Sequence, residues 1–413
     1  MIDQMPGGGD RPALRRAIAT DPEKFAAAYW GKQPLLSRAG ELAGPDGFAD
    51  LLSPDAVDEL LSRRGLRTPF LRVADQGTVL PAGRFTGSGG AGAEVADQII
   101  DDKILQLYAD GATLVLQGLQ RIWPPLIEYA RRLGDELNQP LQVNAYLTPA
   151  GNRGFATHYD THDVFVLQVD GTKRWRIHPP VLPEPLERQA WGGRKDEVSA
   201  TASGDPDLDV VLAPGDALYR PRGWLHSAEA QGRRSLHLTI GVRALTRYAI
   251  VEELLGLAVR DQRLRATLPF GLDVADPDAI GPELTATVAA LRDWLPTADP
   301  AEVAGRLRER AWPSSRPAPI SPVAQLDFAA RLTPDDRIAA RPGLRRRLTG
   351  DGPDHVVLRL ADRTLRFPAF CEPALRMVLS GDRCRVGDLP LDDDADRLVL
   401  ARRLLREAVA VPA

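Results

Sequence analysis

The chain has 413 residues, enough for two or three domains, and its 44% hydrophobic and 26% charged content is that of a globular protein able to bury a sizeable core. A formal net charge of −4 argues against non-specific nucleic-acid binding by the whole chain, though it leaves room for a local basic patch. Cys371 and Cys384 are too few for a disulfide framework and lack zinc spacing, the opening MIDQMPGGGD has neither the basic start nor the apolar stretch of a signal peptide, and no apolar run approaches a membrane span. These features together lead us to expect a cytoplasmic protein.

In chain order, residues 12 to 65 read as helical, with ALRRAIATDPEKFAAAYW at helical spacing and Asp21-Pro22 marking a helix start. SGGAGA near residue 90 reads as a flexible loop, TLVLQGL from Thr113 as a strand, and Ile122 to Asn138 as an amphipathic helix. Strands then take over through Val242. Within them, Asp163 to Val169 reads as an apolar strand, Asp170-Gly171 as a type I′ turn, and Thr172 to His178 as the return strand of a hairpin. Residues 246 to 311 return to helical patterning, and Ile250, Leu254, Leu257 and Ala258 form an apolar stripe suited to a two-fold interface or to internal packing. WPSSRPAPISPV reads as a linker. The last ninety residues carry the basic run RPGLRRR, then HVVLRLADRTLRFP, and a terminal helix from Ala395 to Val409.

The chemistry concentrates in FATHYDTHDVFVLQVDGTKRWRIHPP and GDALYRPRGWLH. His158 and Asp160 share one face of an extended segment while Tyr159 points away, and a Pro/Gly-rich loop delivers His226. Two imidazoles and one carboxylate suit Fe(II) with open positions for O2 and a chelating cosubstrate, and the same three groups would hold Mn, Co, Ni or Zn. His162 lies on the same face by alternation and Asp163 follows it, so the segment offers two histidines and two acids among which only geometry can choose. On the return strand Lys173, Trp175 and Ile177 share a face opposite Arg174, Arg176 and His178. Only five of the 52 basic residues are lysine. An ammonium pointing into a cavity needs an anion, which a cosubstrate carboxylate would supply; the alternative is a lysine snorkelling from an exposed hairpin.

The run NAYLTPAGNRGFATHYDTHDVFVLQVDGTKRWRIHPP, the GWLH element, SLHLTIGV and the earlier FAAAYWGKQPLL, in this order across roughly residues 20 to 245, resemble the JmjC-type ribosomal oxygenases. The resemblance implies an α+β fold: a double-stranded β-helix (the JmjC/cupin jelly roll) with N-terminal helices over 1–245, a helical dimerisation region over 246–311, and a small winged-helix-like C-terminal domain over 323–413. It implies His158, Asp160 and His226 as Fe(II) ligands and catalytic centre, Lys173 as the partner of the distal carboxylate of 2-oxoglutarate, and Asn144, Tyr146 and Thr239 as walls of the cosubstrate pocket. His237 fits a core or supporting histidine better than a ligand. The implied activity is O2-dependent hydroxylation of a protein side chain, a ribosomal protein being the leading substrate, by a homodimer that docks through its tail rather than reading DNA. After Gly241 the chain reads VRALTRYAIVEELL, unlike the eukaryotic members, so substrate contacts do not carry over. A hydroxylase of a small molecule or modified peptide, and a noncatalytic cupin-like metal-binding protein, are the alternatives, because the barrel by itself implies no activity.

Overall fold

The computed structural model describes residues 11–45, 47–92, 94–152 and 156–413. The opening MIDQMPGGGD, Ala93 within SGGAGA, and residues 153–155 lie outside the described residues. The chain divides into two compact units, Met1–Ala244 and Leu245–Ala413.

The first unit opens with α1 (Pro12–Arg15), α2 (Pro22–Ala28), β1 (Leu35–Ser37) and α3 (Pro54–Arg63). Asp21 caps α2 by accepting from the backbone N–H groups of Glu23 and Lys24, as its Asp-Pro start predicts. The helical reading of 12 to 65 is interrupted at Leu35–Ser37. Pro34 disfavours helix in the residue before it, and Leu35 pairs instead with Tyr219 at the sheet edge. There follow β2 (Leu71–Asp75), β3 (Thr78–Val79), the short ribbon of β4 (Thr86–Gly87) and β5 (Gln98–Ile99), α4 (Asp101–Ala109), β6 (Thr113–Leu116) and α5 (Pro124–Leu137). Beyond them lie β7 (Leu141–Thr148), β8 (Asp163–His178), α6 (Lys195–Ala202), β9 (Leu208–Leu212), β10 (Ala217–Arg220) and β11 (Leu225–Val242). The antiparallel sheet runs β1-β10-β8-β11-β7-β6-β2-β3, with β9 added to the far half of β8.

Period-two alternation sorts the sheet into two faces. Val143, Ala145 and Leu147 of β7, Phe165 and Leu167 of β8, and Leu238 and Ile240 of β11 join the core that holds the N-terminal helices. The opposite face, with Val164, Val166, Trp175, Ile177, Leu212 and Leu218, forms a second, smaller cluster between the two halves of the bent sheet. Each fully buried aliphatic or aromatic side chain contributes about 1.5–3 kcal/mol relative to exposure, so the larger core carries the stability. The smaller one shapes the interior.

The hairpin expected at Asp170-Gly171 does not form. β8 passes through both residues as one strand and pairs with β11 along its length, while β11 absorbs a register shift between Gln231 and Leu236. A type I′ turn requires positive φ at both central residues, and here only Gly171 has it, at 65°. The Asp-Gly pair is a bend inside a strand, made where two backbones almost touch: a Cβ on Gly171 would lie 1.9 Å from the carbonyl oxygen of Arg234. The face shared by Lys173, Trp175 and Ile177 survives the correction, because alternation holds within Thr172–His178; its phase shifts by one residue across the bend, so Trp175 and Ile177 join Val164 and Val166.

The second unit holds α7 (Arg247–Ala258), α8 (Pro277–Trp294) and α9 (Pro300–Ala311), then α10 (Pro322–Ala330), β12 (Arg337–Ala340), β13 (Arg346–Asp351), β14 (His355–Leu360), β15 (Thr364–Pro368), α11 (Glu372–Leu379), β16 (Cys384–Arg385), α12 (Asp394–Arg406) and β17 (Ala410–Pro412). From Ala329 to Ala410 it has a core of its own between two three-stranded sheets and their helices, which makes the tail richer in strands than its sequence pattern suggests. The stripe read on α7 divides: Leu257 and Ala258 are buried, while Ile250 is exposed together with Val251, Leu255 and Val259.

The bend gives the first test. Gly171→Ala should lose on the order of 3 kcal/mol or more, because a backbone overlap rather than a flexible side chain must yield. Denaturant unfolding measures it; a loss under about 1 kcal/mol, the ordinary cost of an interior substitution, would show that the strands can part.

Candidate metal centre

His158 and Asp160 lie in the extended segment that precedes β8, outside any regular strand, and His226 is the second residue of β11. A pair of backbone hydrogen bonds, His158 N–H to His226 O at 3.2 Å and His226 N–H to His158 O at 2.9 Å, sets the two residues side by side. Their ring centroids are 4.2 Å apart. Tyr159 points away into a small cluster with Val198 and Leu225, and its hydroxyl donates to Gln189 O at 2.8 Å, which anchors the alternation that turns His158 and Asp160 the same way. The loop from Pro221 to Trp224 delivers His226 through Gly223, whose φ of 88° and close approach to Leu182 O exclude a side chain. The backbone N–H of Gly223 also donates to Asp160 O at 3.0 Å.

One ligand atom from each of His158, Asp160 and His226 lies within 4.8 Å of the other two. His158 Nε2 is 3.9 Å from Asp160 Oδ1, and His226 Nε2 is 3.8 Å from Asp160 Oδ2. His158 Nδ1 donates to Ala156 O at 2.7 Å, which fixes the tautomer that leaves Nε2 with a lone pair for an ion. Burial pushes the pKa of both histidines down, that of His226 well below the ordinary range, so neither must shed a proton before binding a cation. Burial acts against ionisation of Asp160, yet the Arg220 guanidinium, 2.7 Å from its Oδ2, holds its carboxyl well below the usual range. Two neutral imidazoles and a firmly ionised carboxylate are a fitting donor set for a divalent transition metal.

The other two candidates of the segment go elsewhere. Asp163 is on the opposite face, fully buried, where its carboxylate accepts from the Tyr219 hydroxyl at 3.3 Å and from the Arg222 N–H at 2.8 Å. Tyr219 itself sits against Phe25 and Trp30 of the FAAAYW motif and accepts from Gly31 N–H at 2.8 Å. Asp163 thereby ties the N-terminal helices to the floor of the site. His162 faces Gln142 across 3.4 Å and packs on Gly241. It is outside the cluster.

Lys173 is 2% exposed, and its Nζ crosses the interior to donate to Thr148 Oγ1 at 3.1 Å. Among the described residues no carboxylate pairs with it, and burial pushes its pKa down to about 7. Trp175 Nε1 and His237 Nδ1 are also buried, with no hydrogen-bond partner among the described residues. Trp175 lies edge-on to His237, with centroids 5.4 Å apart, and roughly parallel to His226 at 6.2 Å. Asn144 and Tyr146 of β7 pair with Thr239 and His237 of β11, so all four line one face. Tyr146 stacks on His237 at 5.0 Å, and Asn144 Oδ1 accepts from Gly118 N–H at 3.2 Å. The interior thus presents a cation and unpaired polar groups on the same side as the triad, a fit for an anionic chelator.

Residues 124–250 match the model of the JmjC domain family. The chain is 27% identical to human "Ribosomal oxygenase 1" over 93% of its own length and 64% of that protein. It is 31% identical to the "Bifunctional lysine-specific demethylase and histidyl-hydroxylase NO66" of Drosophila persimilis over 55% of its length and 37% of that protein. The chain carries a JmjC domain over residues 124–250 and is similar to the ribosomal oxygenases. It spans less than two thirds of the length of these curated relatives. Its fold is that of the Escherichia coli ribosomal oxygenase YcfD, with a TM-score of 0.52 at 17% identity, covering 95% of this chain and 98% of the other. A structure of YcfD in complex with cobalt and 2-oxoglutarate aligns with a TM-score of 0.50 at 17% identity, covering 95% of this chain and 98% of that one.

Two JmjC-interior residues escaped the sequence reading. Thr148 ends β7 and meets Lys173 from the opposite wall, a contact that only the closed sheet creates. Arg220 ends β10, is 2% exposed, and contacts both Asp160 and His226. Its signal was present: Leu218 faces the interior cluster, and alternation sends the residue two positions on the same way.

A Co(II) titration followed by absorbance separates the neighbouring histidines. His226→Ala and His158→Ala should lose the site, whereas His162→Ala should keep affinity within a few-fold. Loss of cobalt binding in His162→Ala with retention in His226→Ala would reverse the third ligand.

Proposed function

We propose that this chain is an Fe(II)- and 2-oxoglutarate-dependent dioxygenase that hydroxylates a protein side chain, with a ribosomal protein as the substrate to test first. The observation that carries the reading is the placement of an unpaired, fully buried lysine on the inner wall beside a two-histidine, one-carboxylate cluster. The similarity to human ribosomal oxygenase 1 supports the substrate class, and the complex of YcfD with cobalt and 2-oxoglutarate supports the cosubstrate.

In this reading His158, Asp160 and His226 hold the iron, which when bound supplies O2 activation coupled to the conversion of 2-oxoglutarate to succinate and CO2. Lys173 takes the distal carboxylate, with Thr148 steadying its ammonium. Asn144, Tyr146 and Thr239, which share a face, would line the cosubstrate site. Val164, Val166 and Trp175 keep that end of the cavity dry, which strengthens the charge pairing. Intact-mass analysis of purified ribosomal proteins, with and without Fe(II) and 2-oxoglutarate, tests the proposal. One added oxygen, absent with Asp160→Ala, is expected; cosubstrate turnover that modifies no ribosomal protein would move the substrate to a small molecule or other peptide.

Lys173 makes the cosubstrate assignment quantitative. A charge-assisted hydrogen bond in a dry site contributes about 1.5–3 kcal/mol, so Lys173→Ala should weaken 2-oxoglutarate binding roughly tenfold to a hundredfold or more, at ~1.4 kcal/mol per decade. The pH dependence follows from the depressed pKa. Below about 7 the free ammonium is already charged and affinity is flat; above it, binding must take up a proton, and affinity falls as pH rises until the higher pKa of the bound form is passed. Calorimetry in buffers of different ionisation enthalpy reads the proton uptake at pH 8. No uptake there, or none lost in Lys173→Arg, would remove the lysine from the carboxylate.

We further propose that the chain dimerises through α7, whose outer side exposes Ile250, Val251, Leu255 and Val259. Light scattering should give a dimer at micromolar concentration and a monomer for Val251→Asp/Leu255→Asp. A monomer before mutation would end that proposal.

A further inference from the structure

Arg220 is a charged group from outside the triad that touches two of the three candidate ligands. Its Nη2 donates to Asp160 Oδ2 at 2.7 Å and its Nη1 lies 2.8 Å from His226 Nδ1. A guanidinium has donors only, so the contact with Nδ1 requires that nitrogen to accept. A neutral imidazole that accepts at Nδ1 carries its hydrogen on Nε2. That is the nitrogen that faces Asp160, 3.8 Å from Oδ2, and the one His226 must offer to an ion. The tautomer that frees Nε2 would instead donate from Nδ1 to Trp224 O, which lies 3.4 Å away. One nitrogen cannot do both, and the shorter contact is with the arginine. His158 stands in the opposite state, its Nδ1 donating at 2.7 Å to Ala156 O.

We propose that Arg220 is a positioning residue that holds the metal-free centre closed: it keeps Asp160 in place while locking His226 in the tautomer that cannot bind a metal. The inference rests on the reading of His158, Asp160 and His226 as a metal site. Metal entry then requires the guanidinium to release His226 and the ring to change tautomer: Nε2 gives its proton to water while Nδ1 takes one from water and donates it to Trp224 O, so that no net proton is gained or lost. Asp160 Oδ1, on the side of His158, stays available while Oδ2 remains tied to Arg220. The guanidinium has little other business in this place. It is sealed from solvent, and its Nε has no hydrogen-bond partner among the described residues.

Two measurements on the full chain test this. With only six histidines, long-range proton–nitrogen correlation resolves each ring. In the metal-free protein His226 should show hydrogen on Nε2 and His158 hydrogen on Nδ1. In Arg220→Met, which removes the donors and keeps the bulk, His226 should change to the Nδ1 form. Co(II) affinity of Arg220→Met should rise about tenfold to a hundredfold, the equivalent of releasing one charge-assisted hydrogen bond. Arg220→Lys, which keeps the charge but not the fork, should restore part of the unmodified behaviour. His226 with hydrogen on Nδ1 in the unmodified metal-free protein overturns the proposal without any variant, as does weaker or equal cobalt binding by a folded Arg220→Met. If the unmodified chain binds no Co(II), or binds it equally after His226→Ala, the metal-site reading fails and takes this proposal with it, a pattern distinct from the other two.

Discussion

The architecture of the first unit depends on the pairing of β8 with β11 and on the bend where Gly171 passes under the carbonyl of Arg234. On one side of the bend Asp163–Asp170 pairs with Leu236–Val242, and on the other Thr172–His178 pairs with Leu225–Gln231. Flat, this ladder would hold its two ends far apart, since eight residues of strand already extend roughly 26 Å. Curled, it brings the segment before β8 onto the start of β11, and the His158–His226 bridge closes the loop. The triad is a product of that closure. Gly171 acts on the candidate metal centre through the curvature of the sheet.

Much of the site was legible because alternation is local. His158 and Asp160 sharing a face, and Lys173 sharing one with Trp175 and Ile177, follow from a period of two whether the chain turns back at Gly171 or runs on. The misread hairpin shows the limit. Asp-Gly satisfies the composition of a tight turn, but the choice between a turn and a bend is made by β11, some sixty residues later, whose register shift accommodates the kink. The strand at Leu35–Ser37 was missed for a similar reason: three residues carry no periodicity, and only the open edge of β10 gives them a partner. His162 and Asp163 could not be separated from the candidate ligands by type. Distance separates them, and distance comes from Tyr219, Arg222 and Gln142 on other elements.

The inner face is where the chain gives up stability. Removing the ammonium of Lys173 from water without an anion costs several kcal/mol in principle, and the same burial pushes its pKa down. An apolar residue among Val166, Trp175 and Ile177 would fold better. Asp160 and Arg220 compensate each other, but a paired buried charge is on balance no better than well-packed hydrocarbon, so this pair too is poorly explained by folding. The unpartnered nitrogens of Trp175 and His237 add to the same side. The outer face of the same strands behaves in the ordinary way: Phe165, Leu167, Leu238 and Ile240 are apolar, and Asp163, its buried carboxylate, is fully engaged. A barrel that only needed to stand would treat both faces alike. The outer face leaves one buried nitrogen, His178 Nδ1, without a partner among the described residues, whereas the inner face gathers a buried ammonium and the unpartnered nitrogens of Trp175 and His237; that concentration of polar groups beside the candidate ligand cluster argues that they await a ligand, and a cation among them fits an anionic one.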